Sequence, residues 1–193
     1  MANGKGWKAL TISSLVLSAV LITGMILIYW RSSTTVVLVI RHGERNDTTS
    51  CTPPTSNPPL STAGQTRAGT LTHVGEDTGL QAIYASEFCR TQQTVQPIAT
   101  QLGLTVNAVS QHAPDGSANV DDLISQVGSN NTGQFVLIAG HTDTVPVIIE
   151  RLGGGTISPI GEAEFDNLYV VTTYRWWFLN RTKVVRLKYG DPT

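Results

Sequence analysis

The chain has 193 residues, 40% of them hydrophobic and only 14% charged, so Ser, Thr, Asn and Gln must supply much of its polar surface. That balance excludes a collagen-like repeat, a disulfide-dense miniature and a highly charged disordered chain, and it fits one domain with an appendage. Lys and Arg number 13 against 14 Asp and Glu, a net charge of −1, which offers no bulk attraction for nucleic acid.

The appendage is amino-terminal. Leu10 to Trp30 carries no charge and is rich in Leu, Ile and Val, long enough to cross a bilayer as one helix. Lys5 and Lys8 precede it, and Tyr29, Trp30 and Arg31 close it with interfacial residues. A cleaved secretory signal would need a shorter apolar core and a small-x-small site, so the segment is read as an uncleaved signal anchor. The positive-inside rule then keeps the first residues of segment 1–33 in the cytoplasm and places 34–193 on the extracytoplasmic side.

The remainder alternates strands and helices. Thr34–Ile40 is a continuous β-branched run, as expected of a strand buried on both faces. After a Pro-rich loop from Asn46 to Pro59, a helix begins at Ser61 or Thr62, where Thr62 and Gln65 have capping-box spacing. Gln81–Ala85 predicts a short strand, and Arg90–Leu102 a helix ending at Gly103. Thr105–Val109 is another candidate strand and Val120–Val127 a short helix. Phe135–Ala139 is a second buried strand, followed by a helix from Thr144 to Leu152, and Asn167–Tyr174 with Lys183–Tyr189 predicts a closing hairpin. The pattern predicts a single α/β domain, a three-layer α/β/α sandwich around a mostly parallel open sheet.

Cationic residues follow three of these strands. Arg41-His42 comes directly after the first, Arg90 a few residues after the second, and His141 after Phe135–Ala139 with only Gly140 between. Parallel strands bring all three to one carboxyl edge, where ligands of open α/β sheets collect. Two guanidinium groups and two imidazoles there describe an oxyanion pocket, most suited to a phosphoryl group, because Arg grips two phosphate oxygens at once. Taken singly, each has a plain reading: a surface Arg-His pair, a solvated helix face, a satisfied histidine at a turn. Those readings do not require a shared edge.

The motifs themselves have a family resemblance. Val39-Ile40-Arg41-His42-Gly43-Glu44-Arg45 resembles the nucleophile motif of the histidine phosphatase (phosphoglycerate-mutase-like) superfamily. Leu60-Ser61-x-x-Gly64-x-x-Arg67-Ala68, Ile83-Tyr84-Ala85-Ser86-x-x-x-Arg90-Thr91-x-x-Thr94 and Val136-Leu137-Ile138-Ala139-Gly140-His141 resemble its later motifs, in order, over roughly Thr34 to Tyr189. The resemblance implies a small single-domain phosphatase of bacterial type that hydrolyses a phosphomonoester through a phosphohistidine on His42. It implies that Arg41, Arg90 and His141 bind the phosphoryl oxygens, with Arg45 and Thr142 as further substrate contacts. No metal or cofactor is then expected, because the cationic side chains fill that role and neither histidine sits in a metal-ligand motif. The expected partner is a phosphorylated small molecule or an envelope substrate.

One departure stands out. Many members carry a glutamate proton donor in a Glu-Gly segment before the second histidine, and none occurs between Leu104 and Asn130. Asp143 resembles the acid that follows the second histidine in the acid-phosphatase branch, shifted by one residue, and equally suits a helix N-cap. Glu87 is a weaker candidate, and Glu44 is expected to be structural. The missing acid leaves open a non-catalytic anchored module that binds phosphorylated glycan or lipid; a phosphoglycerate-type mutase is a further alternative. Cys51 and Cys89 both fall at the active edge, either disulfide-bonded across the loop or as two free thiols. Trp176-Trp177-Phe178, near the hairpin tip, is read as core packing, with membrane dipping or partner contact as the alternative.

Overall fold

In the computed structural model the described residues are 14, 16–26, 32–52, 56–176 and 179–193. Residues 16–26 form a helix, α1, whose large apolar side chains, such as Leu17, Leu21 and Met25, are exposed. The rest of the Leu10–Trp30 run lies outside the described residues, and among these no helix is long and apolar enough to cross a membrane. From β1 (Ser33–Arg41) the order continues with α2 (Thr62–Gly75), β2 (Ala82–Ala85), α3 (Cys89–Leu102), β3 (Val106–Ala108) and α4 (Asp121–Asn130). It closes with β4 (Phe135–Gly140), α5 (Thr144–Ile149), β5 (Asn167–Trp176) and β6 (Leu179–Lys188).

These strands make one six-stranded sheet in the order β3-β2-β4-β1-β5-β6. β3, β2, β4 and β1 are mutually parallel, whereas β5 runs antiparallel to β1 and β6 antiparallel to β5. The sheet is thus mixed and mostly parallel, as expected, and its antiparallel pairings all involve β5 of the expected closing hairpin.

β1 shows why a continuous apolar run is needed at the centre. Val37 and Val39 enter one core with Val136, Ile138, Val145 and Ile148, while Leu38 and Ile40 enter the other with Ile83, Leu71, Val95 and Ile98. Alternate side chains from Val37 to Ile40 feed opposite layers, so these four positions are all apolar.

Local corrections follow from capping and backbone freedom. α2 is capped by Ser61, whose Oγ accepts from Gly64 N at 3.2 Å, not by a Thr62–Gln65 box. α5 gives way to a π-turn over Glu150–Gly154, where Gly153 adopts φ 85°, so the helix expected to Leu152 ends at Ile149. Trp176 is 43% exposed, against the core-packing expectation, because it ends β5 at the hairpin tip beside the edge strand β6; Trp177 and Phe178 lie outside the described residues.

Candidate active site

The carboxyl ends of β1, β2 and β4 open onto a cleft of about 1010 Å³, lined among others by Arg41, His42, Arg45, Arg90, His141 and Asp143. Its floor is set by backbone hydrogen bonds: His42 N donates to Gly140 O at 3.0 Å, joining the ends of β1 and β4, and Gly43 N donates to Thr94 Oγ1 of α3 at 2.9 Å. Gly64 lets the first turn of α2 press against this loop, since a Cβ there would collide with the Glu44 carbonyl oxygen.

His42 is 2% exposed, and its Nδ1 lies 2.7 Å from the Gly43 carbonyl oxygen. Only a protonated Nδ1 makes a favourable contact there, so Nε2 carries the lone pair. Burial, reinforced by Arg90 and Arg41 against the opposing Gly43 bond, lowers the His42 pKa to about 3, and the ring is neutral at ordinary pH. His141 is its near neighbour, with ring centroids 5.3 Å apart. Burial and then the charges of His42 and Arg90 lower the His141 pKa to about 2.

The His141 tautomer follows from a chain of bonds. Thr91 Oγ1 donates to Phe88 O at 2.7 Å and accepts from Ser86 Oγ at 2.8 Å, so Ser86 Oγ accepts from His141 Nε2 at 2.8 Å. That leaves Nδ1 as the acceptor facing Arg90 Nη2 at 3.4 Å. The backbone around the histidine is fixed by a second buried network, in which His141 N donates to Thr144 Oγ1, Thr144 Oγ1 to Gln111 Oε1, and Gln111 Nε2 to Ala139 O.

The two arginines are held rigid and left partly unsatisfied. Arg41 Nη1 donates to the carbonyls of Gly161, Glu162 and Glu164, and its guanidinium lies 4.1 Å from the Phe165 ring centroid. Arg90 lies 4.5 Å from the Phe88 centroid. In both, Nε is buried and has no hydrogen-bond partner among the described residues. Burial lowers both pKa values, with Arg45 adding to the effect, yet guanidinium stays charged. Orphaned buried donors of this kind cost free energy unless an anion accepts from them.

The expected site residues therefore converge, with differences in role. Arg45 reaches the cleft but pairs with Asp47 at 2.7 Å, and Thr142 lines the cleft beside His141. Asp143 makes no helix-capping bond; its Oδ2 lies 3.0 Å from His112 Nε2, so the N-cap reading is replaced by a His–Asp pair. His112 was not singled out in the sequence. It follows β3 at the same carboxyl edge, with its ring centroid 5.1 Å from that of His141, and its position after a parallel strand was the available signal. Glu87 accepts from Ser110 Oγ at the rim, and Glu44 turns away to bind Arg67. Cys51 and Cys89 are joined by a disulfide that ties the loop after the nucleophile motif to the start of α3. Among the described residues no three His, Cys, Asp or Glu side chains are arranged to hold a metal ion.

Comparison with known proteins agrees with this geometry. The sequence model of the histidine phosphatase superfamily (branch 1) matches residues 37–113. A search of curated proteins by sequence found no match. Among solved structures, the protein histidine phosphatase SixA complexed with tungstate is 18% identical, with 79% of this chain and 96% of that one covered and a TM-score of 0.56. A mycobacterial glucosyl-3-phosphoglycerate phosphatase in complex with inorganic phosphate is 14% identical over 78% of this chain and 95% of its own, with a TM-score of 0.58. A structure named mycobacterial hydrolase 2 is 14% identical over 84% and 92%, with a TM-score of 0.59. At such identities the structures show a shared fold. The model of the histidine phosphatase superfamily (branch 1) thus matches residues 37–113, and the fold shared with these solved structures extends over 78–84% of the chain.

Proposed function

We propose that the protein is a phosphomonoester phosphatase working through a phosphohistidine on His42. The observation that carries this reading is the neutral His42 ring with Nδ1 tied to the Gly43 carbonyl, beside two buried guanidinium groups whose Nε donors lack partners. Tungstate and phosphate, with which two of the structural neighbours are complexed, are tetrahedral oxyanions of the kind such donors accept.

In the first step His42 Nε2 attacks phosphorus, the N–P bond forms and the ester P–O bond breaks opposite it. Arg41 and Arg90 hold the equatorial oxygens, joined by His141 once the bound anion favours a proton on its Nδ1, and the leaving oxygen takes a proton from the Asp143–His112 pair at the cleft rim. In the second, water attacks phosphorus, the N–P bond breaks, orthophosphate leaves, and the water's proton returns to the same pair. The Gly43 carbonyl stabilises the phosphorylated imidazole by keeping its proton on Nδ1. A module that only bound a phosphorylated glycan or lipid would have no use for a fixed tautomer with its lone pair free.

The test uses the full chain in detergent. An activated aryl phosphate should be hydrolysed with release of inorganic phosphate and an acid-labile phosphoryl adduct, and His42→Ala should lower activity by about four orders of magnitude or more. Undiminished activity in that variant sinks the assignment, and transfer to a second organic acceptor without phosphate release would indicate a mutase.

The Leu10–Trp30 run supports a further part of the reading, that the chain is anchored in a membrane by its amino-terminal segment with the phosphatase domain on the extracytoplasmic side. The exposed apolar side chains of α1 and the disulfide are consistent with that placement.

A further inference from the structure

The β5–β6 hairpin exposes five large apolar side chains, Tyr174, Trp176, Leu179, Val185 and Leu187, each 40–48% accessible. The register puts all of them on one face, since Trp176 lies opposite Leu179, Tyr174 opposite Arg181, Val170 opposite Val185 and Leu168 opposite Leu187. The core beneath α2 and α3 takes in Leu168 and Val170 of β5 but no residue of β6, and among the described residues Tyr174, Trp176 and Leu179 at the tip are exposed. Arg181 and Lys183 stand on it too, and Arg175 is at the tip on the opposite face of the sheet. None of the three makes an ion pair among the described residues. An apolar cluster at the tip, Tyr174, Trp176 and Leu179, flanked along the same face by Arg181 and Lys183, marks an interaction surface.

Its place in the sheet says which. Ser33, the first residue of β1, pairs with Arg175, and Thr34 with Tyr174. The uncharged run that ends at Trp30 therefore delivers the chain to the hairpin-tip end of the sheet, three residues before the pairing begins. Arg41 and His42 lie at the opposite end of the same strand.

Building on the anchorage proposed above, we infer that the hairpin tip docks on the bilayer that holds residues 10–30 and stands the cleft away from it, by the length of β1, about 26 Å. Indole and phenol rings favour the headgroup level, and Arg175, Arg181 and Lys183 meet anionic lipid there. A second copy is the poorer occupant, because pairing two such tips brings like charges together. The orientation also selects the substrate source. The cleft opens to the aqueous phase, so the phosphomonoester it takes is water-borne, and a headgroup phosphate of the same leaflet does not reach His42.

The experiment reconstitutes the full chain with W7F, W30F and W177F, so that Trp176 is the one remaining indole, in phosphatidylcholine–phosphatidylglycerol vesicles. Lipids brominated near the headgroup should quench most of the Trp176 emission, and R175E/R181E/K183E should abolish the quenching. In the same vesicles a soluble aryl phosphate should be hydrolysed while phosphatidic acid is not. Absence of quenching in a chain that resists alkaline carbonate extraction overturns the docking and leaves the anchor intact. A chain released by carbonate overturns both. A lipid-independent blue shift with a dimer in detergent assigns the face to a second copy instead, and turnover of phosphatidic acid at the aryl phosphate rate overturns the orientation.

Discussion

Two arginine side chains, Arg41 and Arg67, are equally buried at 4% exposure, yet the fold uses them oppositely. Arg67 is spent on structure. Its Nε and Nη2 reach both carboxylate oxygens of Glu44, and Nη1 and Nη2 donate to the carbonyls of Tyr189 and Asp191. Burial opposes its charge, but the Glu44 bonds and charge prevail and its pKa is raised. Arg41 has carbonyls on one nitrogen only, an unpartnered Nε, and a single carboxylate, that of Glu162, at 3.7 Å and 88% exposed. Its pKa is lowered by burial. The difference teaches that a buried cation without a committed carboxylate has the capacity to bind an anion, and that burial alone does not tell the two apart.

The largest effect expected is on Arg67. Arg67→Met should destabilise the fold by about 3–5 kcal/mol, because Glu44 is left half-buried and unpaired, while kcat/KM per folded molecule stays near that of the parent. Arg41→Met should do the reverse, holding or raising stability in urea titration and lowering kcat/KM for a phosphomonoester by about 10²–10³. Equal effects of the two variants on stability would erase the distinction.

Close behind is the disulfide, which lies on the cleft side and has no counterpart near Arg67. Cys51→Ser/Cys89→Ser frees a loop of 38 residues in sequence separation, worth about 4 kcal/mol in the chain-entropy model. Urea titration with and without reductant measures it, and the same stability in both would show the bond to be idle.

The contrast also shows what the sequence discloses. His42, Arg41, Arg90 and His141 were legible because each follows a strand, and parallel strands fix where their ends lie. The burial of β1 on both faces was legible from its unbroken Thr34–Ile40 run. Legibility failed where a role depends on which neighbour completes it. Asp143 suits a cap or an acid equally in sequence, and only the fold brings His112 to 3.0 Å from it. Trp176 suits a core by composition, and only the fold shows it exposed at the tip of the hairpin that closes the sheet edge.

The next effect sharpens the comparison on the leaving-group side. Asp143→Asn and His112→Gln should each slow hydrolysis of an alkyl phosphate by about 10², while an aryl phosphate with an acidic leaving group changes little. The observation behind this is the exposed Asp143 carboxylate on the cleft, joined to His112. A uniform loss on both substrates would reduce the pair to a structural contact.

The smallest effect per step is the response to acid, and it separates the two regions by pH. His42 and His141 are held near 3 and 2, well below the ordinary 6.5, so from about pH 6.5 downward the unfolded chain takes up protons that the folded one refuses. Stability is therefore fully present above that range and falls as the pH drops, by about 1.4 kcal/mol per unit for each ring. Glu44, whose pKa is lowered chiefly by the Arg67 hydrogen bonds working against burial, contributes above its ordinary 4.5 and loses that contribution only below it. Loss of stability that begins between about pH 6.5 and 5 thus belongs to the cleft, not to the Glu44–Arg67 pair. Inorganic phosphate should flatten that slope, because a bound anion favours charged imidazoles and raises their folded pKa values. Urea titrations across the range, with and without phosphate, measure it; an unchanged slope in His42→Asn/His141→Asn would place the acid sensitivity outside the cleft.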